Sequence, residues 1–264
     1  MTLTEILVWN GGMILGVTFV VWLISVAMRN VGIVDIFWGS GFVAVAWLSL
    51  LLRGAPTLHG WVLAGMVTIW GARLAIHLAK RNLGDEEDYR YRSMRERMGH
   101  KTFWWASLFI VFWLQGAIMW VVALPIQVGV SAAPVLSRWN AFAFAVWLVG
   151  FLFESIGDYQ LARFKANPDN QGKVLDRGLW RWTRHPNYFG DFLVWWGIFG
   201  WVATSGVGLW TVISPIIMSV LLMRVSGVTL LEKTITSRRP GYEEYVRRTN
   251  AFFPGPRKNV TSSS

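Results

Sequence analysis

The chain has 264 residues, 54% of them hydrophobic and only 15% charged, with a net charge of +10 and a mean hydropathy of +0.41. Soluble domains carry about 25% charge, so this chain lacks the polar surface to cover itself in water, and its apolar content excludes disordered and collagenous classes. With Cys at 0 there is no disulfide framework and no thiolate metal site.

Trp at 18 suits anchorage at a membrane boundary, and no metal is expected. The class that remains is an all-α polytopic membrane protein.

A helix needs about 20 mostly apolar residues to cross the hydrocarbon core. Runs of that kind fall at 3–28, 31–52, 59–80, 104–126, 139–161, 187–204 and 208–226. The last two are separated by a short Ser-Gly turn, which predicts a tight hairpin. The expectation is a seven-transmembrane-helix bundle forming a single integral membrane domain over 1–258. It has cytoplasmic loops, an interfacial C-terminal helix and a disordered tail at 259–264.

Seven spans put alternate loops on one side of the membrane. All 25 Lys and Arg residues except Arg53, Arg73 and Arg138 then lie on that one side. The positive-inside rule places the N-terminus outside and the C-terminus in the cytoplasm. Basic loops that hold topology and touch anionic membrane lipids also account for the net charge. Nucleic acid is not expected as a partner, because no separate soluble module is present to bind it.

Ionisable groups within spans are costly, so each is a candidate functional residue. They are Asp35, Arg73, His77, Glu154, Asp158 and Asp191, with Glu232 just beyond the last span. The orientation sets all of them toward the cytoplasmic side. Arg73/His77, Glu154/Asp158 and Asn187/Asp191 are spaced i, i+4, so each pair shares one helix face. Polar stripes at one depth predict a cavity open to the cytoplasm. Interhelical pairing or snorkelling to the headgroups is the alternative for any one of them.

The strongest local signal is Gly178-Leu-Trp-Arg-Trp-Thr-Arg-His-Pro-Asn-Tyr-Phe-Gly-Asp191. Pro186 suits the first turn of a helix, and a helix start offers free N–H groups to a phosphate or carboxylate. Arg181 and Arg184 add charge. Asn187 and Asp191 can hydrogen-bond sugar hydroxyls or an amide, and Tyr188 and Trp182 can stack on a ring. The pattern predicts a nucleotide site without a Rossmann fingerprint or Walker loop.

Arg-His-Pro-Asn-Tyr-Phe-Gly-Asp at 184–191, preceded by Asp158-Tyr-Gln-Leu-Ala-Arg-Phe-Lys165, resembles the C-terminal half of the steroid 5α-reductase family. Tyr242-Glu-Glu-Tyr-Val-Arg-Arg-Thr-Asn-Ala-Phe-Phe-Pro254 fits the same superfamily. Val34-Asp-Ile-Phe-Trp-Gly39 resembles its bacterial branch of uncharacterised membrane proteins. The motif-level likeness covers about 140–254.

The resemblance implies a multi-pass bacterial inner-membrane protein holding NADPH in a cytosolic cavity. It also implies hydride transfer to a carbon–carbon double bond conjugated to a carbonyl in a steroid-like or other lipid substrate. It sets Glu154, Asp158, Lys165, Arg184, His185, Asn187, Tyr188, Asp191 and Glu232 at the cofactor. Of the family's catalytic pair, Asp35 stands for the Glu of helix two. The third span has no Tyr, and Trp70 falls near its place. Asp35, Arg73 or His77 would then stabilise the enolate oxygen.

The Arg-His-Pro start is shared with isoprenylcysteine carboxyl methyltransferases, so a methyltransferase using S-adenosylmethionine is the alternative enzyme. A lipid-binding or transport protein is the non-enzyme alternative.

Overall fold

The computed structural model describes residues 1–82, 87–132, 136–225 and 241–258. Among these the secondary structure is helical, with one isolated bridge between Thr183 and Asn250. By internal packing the chain divides into two compact units, residues 1–137 with 201–214, and residues 138–200 with 215–264.

The first unit begins with α1, Leu3–Met28, opened by a capping box. The Thr2 N–H donates to the Glu5 carboxylate at 2.7 Å, and the Glu5 N–H donates to Oγ1 of Thr2 at 3.3 Å. The helix stops where Arg29 enters the left-handed region, φ 54°. α2, Ile33–Arg53, is tied to α1 by Asn10 donating to Ser49 Oγ at 2.8 Å, both side chains buried.

α3, Leu58–Asn82, packs on α2 through small residues. A side chain at Gly39 would collide with the Gly71 carbonyl and the Ala75 N–H, so the two backbones touch there. A short helix α4, Tyr89–Met98, is separated from α5, His100–Val122, by Gly99 in the left-handed region. One turn of α5, Leu108–Trp113, is π-wound. A last short helix in this stretch is α6, Leu124–Ser131.

The second unit is built on α7, Arg138–Ala166, and α8, Pro186–Ala203. These two also meet backbone to backbone. A side chain at Gly150 would strike the Gly190 carbonyl and Val194 N–H, one at Gly190 the Glu154 N–H, and one at Gly197 the Trp147 backbone. The remaining helices are α9, Leu209–Arg224, and α10, Tyr242–Arg248. The latter buries Tyr242 and Tyr245 and exposes Arg247 and Arg248.

The loop before α8 is laced to the chain's C-terminal segment. Arg184 N–H donates to the Asn250 carbonyl at 2.9 Å, and Gly255 N–H to the Trp182 carbonyl at 3.0 Å. Thr183 Oγ1 donates to the Phe252 carbonyl at 2.8 Å, and the Tyr245 hydroxyl to the Trp180 carbonyl at 2.6 Å.

Helices form at all seven places where the sequence suggests a span, but five of them are long and apolar enough to cross a membrane: α1, α2, α3, α5 and α7. The seven-span expectation fails this criterion at its last two members. α8 opens with Pro186, Asn187 and Asp191 in its first two turns, which dilutes its apolar stretch. α9 has too few residues, about 24 Å of helix at 1.5 Å per residue, against about 30 Å of hydrocarbon. The chain is a multi-pass membrane protein by its apolar helices.

Candidate functional site

Two polar groups stand out, one in each unit. In the first unit the centre is Asp35, in the first turn of α2 and half-buried. The Tyr91 hydroxyl donates to its Oδ1 at 3.1 Å, and the Arg90 guanidinium lies 3.7 Å from its Oδ2. Gln115 Nε2 donates to the Tyr91 hydroxyl at 3.2 Å, and Trp38 Nε1 donates to Gln115 Oε1 at 2.5 Å.

The chain Trp38–Gln115–Tyr91–Asp35 thus links α2, α4 and α5. Its geometry has local causes. Asp88 caps α4 by accepting the Arg90 N–H at 2.9 Å, which starts the helix where Tyr91 faces Asp35. Gln115 lies two residues beyond the π-turn, a distortion that re-aims the side chains after it.

The charges here are arranged to stay put. Burial works against ionised Asp88, but the hydrogen bonds and charge of Arg90 outweigh it and hold the carboxyl below its usual range. Arg90 is kept cationic by the same partner, with burial opposing. Burial, reinforced by the negative charge of Asp35, pushes the Tyr91 phenol well above its ordinary value, so it keeps its proton at neutral pH. The phenol holds one proton on the carboxylate beside a guanidinium, and by turning from Asp35 it can present that O–H to a substrate oxygen.

Arg73 and His77 sit half-buried on α3, one turn apart on a single face. The charges of Arg90, Asp88 and Arg81 act on Asp35. Trp70, nearest the expected tyrosine position, is buried and packs at a tilt against Phe42, ring centroids 5.8 Å apart and planes 51° from parallel.

In the second unit the polar group lies in the glycine-lined seam of α7 and α8. Glu154 and Asp158, buried on one face of α7, lie alongside the first turns of α8. Asn187 Nδ2 donates to Asp158 Oδ1 at 2.9 Å. Its own Oδ1 is buried without a hydrogen-bond partner, an acceptor open to a ligand's hydroxyl or amide. Asp191 follows one turn later.

Arg184 and His185 are buried at the helix start. Arg184 donates from Nη1 to the carbonyls of Val246 and Thr249, so part of its guanidinium anchors the C-terminal segment. The His185 ring stacks on Tyr188, centroids 5.7 Å apart and 9° from parallel. Lys165 is exposed near the end of α7. Glu232 lies outside the described residues.

A model of the family described as "Protein of unknown function (DUF1295)" matches residues 21–249. The chain belongs to that family. The match spans both polar groups. An uncharacterized protein of Schizosaccharomyces pombe is 26% identical over 267 residues, covering 89% of this chain and 76% of that protein. No solved structure matches.

Three residues at the first site of this DUF1295 member escaped sequence reading: Tyr91, Arg90 and Gln115. Tyr91 stands in Tyr89-Arg-Tyr-Arg92, which reads as a basic loop, and nothing in spacing ties that loop to α2. Gln115 left a usable signal. It is an uncharged but hydrogen-bonding side chain inside an apolar span.

Proposed function

We propose that the protein is an NADPH-dependent membrane reductase that saturates a carbon–carbon double bond conjugated to a carbonyl in a lipid-like substrate. The reading includes a seven-helix arrangement in the bacterial inner membrane with the C-terminus in the cytoplasm. The observation that carries it is the Tyr91 hydroxyl on Asp35. The resemblance calls for a carboxylate–phenol pair, and the phenol comes from the helix after α3.

NADPH, when bound, supplies the hydride. The residues fitted to hold it are Asp158, Asn187 and Asp191, with Lys165 for the phosphates. The buried, unsatisfied Oδ1 of Asn187 is what supports that fit, because a buried acceptor left without a donor costs about 1–3 kcal/mol.

At the reacting centre the Tyr91 hydroxyl turns from Asp35 and donates its one O–H to the substrate's carbonyl oxygen while negative charge gathers there. Gln115 donates to the phenol oxygen and steadies it as its proton is drawn away. Arg90 keeps the Asp35 side of the pair electrostatically compensated. The apolar faces of the spans suit a lipid substrate.

The test uses purified protein in detergent with lipid extracts, following NADPH oxidation and a two-hydrogen mass gain in a lipid. Wild type is expected to show both, Tyr91→Phe to lose about 10²–10⁴ in rate, and Asn187→Leu to weaken NADPH binding by at least about tenfold. Saturable binding of S-adenosylmethionine with none of NADPH would overturn the reading in favour of methyl transfer.

A further inference from the structure

The second unit has an open cavity of about 820 Å³ at the C-terminal end of α7, lined by Ile156, Tyr159, Arg163 and Phe164 of the helix and by Leu175 and Arg177 of the following loop. None of the carboxylates or amides of the α7–α8 seam lines it. Its floor is apolar, Phe164 and Leu175 being buried with Trp180 in one cluster.

The rim carries two guanidinium groups, and among the described residues lining the cavity none is acidic. Among the described residues Arg163 makes a single long contact, donating to the Tyr159 hydroxyl at 3.4 Å. The nearest carboxylate in sequence to Arg177 is Asp176, and it is taken by Arg257 at 2.6 Å. Two exposed cations therefore face the hollow, and among the described residues no carboxylate pairs with either.

The rest of that helix face is equally specific. Val149, Leu152, Ile156, Tyr159 and Arg163 follow one another at three- and four-residue steps, so they form one stripe along α7. The first three are exposed on a helix long and apolar enough to span a membrane. The stripe runs from aliphatic, through a phenol, to a guanidinium beside the cavity, over about 21 Å of helix. That order is the order of groups along a phospholipid, from acyl chain through the glycerol region to phosphate.

We propose that this cavity seats the headgroup of one anionic phospholipid, its phosphodiester between Arg163 and Arg177 and its acyl chain along Val149, Leu152 and Ile156. Charge complementarity selects the anionic lipid over a zwitterionic one, whose trimethylammonium group would meet the same cations. Planar guanidinium groups suit a phosphate's paired oxygens. The apolar stripe selects a lipid over a free phosphate ester.

The full-length protein, purified in detergent, is titrated with phosphatidylglycerol or phosphatidylcholine and bound lipids are counted by native mass spectrometry. One phosphatidylglycerol is expected to bind about tenfold more tightly than phosphatidylcholine. The double variant Arg163→Gln, Arg177→Gln should lose that preference. Arg97→Gln with Arg247→Gln, which removes the same charge from exposed positions elsewhere, should keep it. Ile156→Gln, also at an exposed position, should weaken both lipids, and glycerol phosphate should not displace the bound lipid. The proposal is overturned if the preference survives loss of Arg163 and Arg177, or if the control pair abolishes it equally. It is overturned as well if glycerol phosphate competes at the lipid's own concentration, which would mark a soluble phosphate ester as the ligand.

Discussion

Replacing Tyr91 by Phe separates a structural role from a chemical one. The substitution keeps the ring and deletes one oxygen that accepts from Gln115 at 3.2 Å and donates to Asp35 at 3.1 Å. Asp35 retains Arg90 at 3.7 Å and a side chain 21% exposed, so water can replace the phenol at that end. Gln115 retains Trp38 on its oxygen and loses only the partner of its Nε2. The expected destabilisation is therefore about 1–2 kcal/mol, below the cost of stripping a buried charge.

A proton donor removed from the reacting centre costs far more in rate, about 10²–10⁴, or roughly 3–5 kcal/mol of barrier. A stability loss of the smaller size leaves the protein folded and cannot mimic the larger effect. Thermal unfolding in detergent reads the first quantity, and turnover on folded protein reads the second. Gln115→Leu is the matched control, losing its hydrogen bonds with Tyr91 and Trp38 but no exchangeable proton of the pair, with a rate effect near tenfold at most. A Tyr91→Phe protein that turns over within a few fold of wild type would refute the donor role. An unchanged melting temperature would refute the hydrogen-bonded chain itself.

Three further outcomes follow from the geometry. Gly190→Leu drives a side chain into the Glu154 backbone and should cost about 3 kcal/mol or more, read as loss of monodisperse protein. Gly12→Leu, with open space around its Cα, should be tolerated. The Tyr91 phenol, raised by burial and by Asp35, contributes stability that is intact below the ordinary tyrosine value of about 10 and is lost as pH climbs through its higher folded value. An ultraviolet titration of wild type minus Tyr91→Phe should show no phenolate from this residue until well above pH 10. Arg184→Ala removes donors from the Val246 and Thr249 carbonyls and should speed tryptic cleavage at Arg247 and Arg248, with the spans left intact.

Element positions were legible because apolar runs and their polar boundaries are local properties. Span 3–28 coincides with α1, and Pro186 opens α8 as its missing N–H and fixed φ dictate. The pairing of Asp158 with Asn187 was half legible. The i, i+4 spacing put each on a polar face, but only the glycines at 150, 157 and 190 let those faces meet. Tyr91 was illegible for a complementary reason. Its partner Asp35 is 56 residues away, and the contact depends on where a short interfacial helix turns back, which no periodicity records. Arg184 read as a phosphate ligand because a helix start favours anions. The hydrogen bonds that occupy its Nη1 come from the C-terminal segment, which sequence spacing does not bring near.

The same packing device stands beside both polar groups. In the first unit Gly39, one turn beyond Asp35, lies on Gly71. In the second, Gly190 lies on the Glu154 backbone between Asn187 and Asp191. Apolar burial gives little reason for helices to associate when the solvent is lipid. What holds them is close backbone approach, and glycine permits it where the helices must carry short, costly side chains. A carboxylate as short as Asp35 or Asp158 can meet a partner on another element only if that element comes near. Enlarging a seam glycine should therefore damage the neighbouring polar group before it unfolds the bundle. Gly39→Ala is the mild form of that test. It should move the Asp35–Tyr91 contact, shifting the Tyr91 phenolate titration back toward its ordinary value, while the helix content of α2 and α3 stays that of wild type. An unshifted titration with a destabilised fold would show that the glycine serves packing alone.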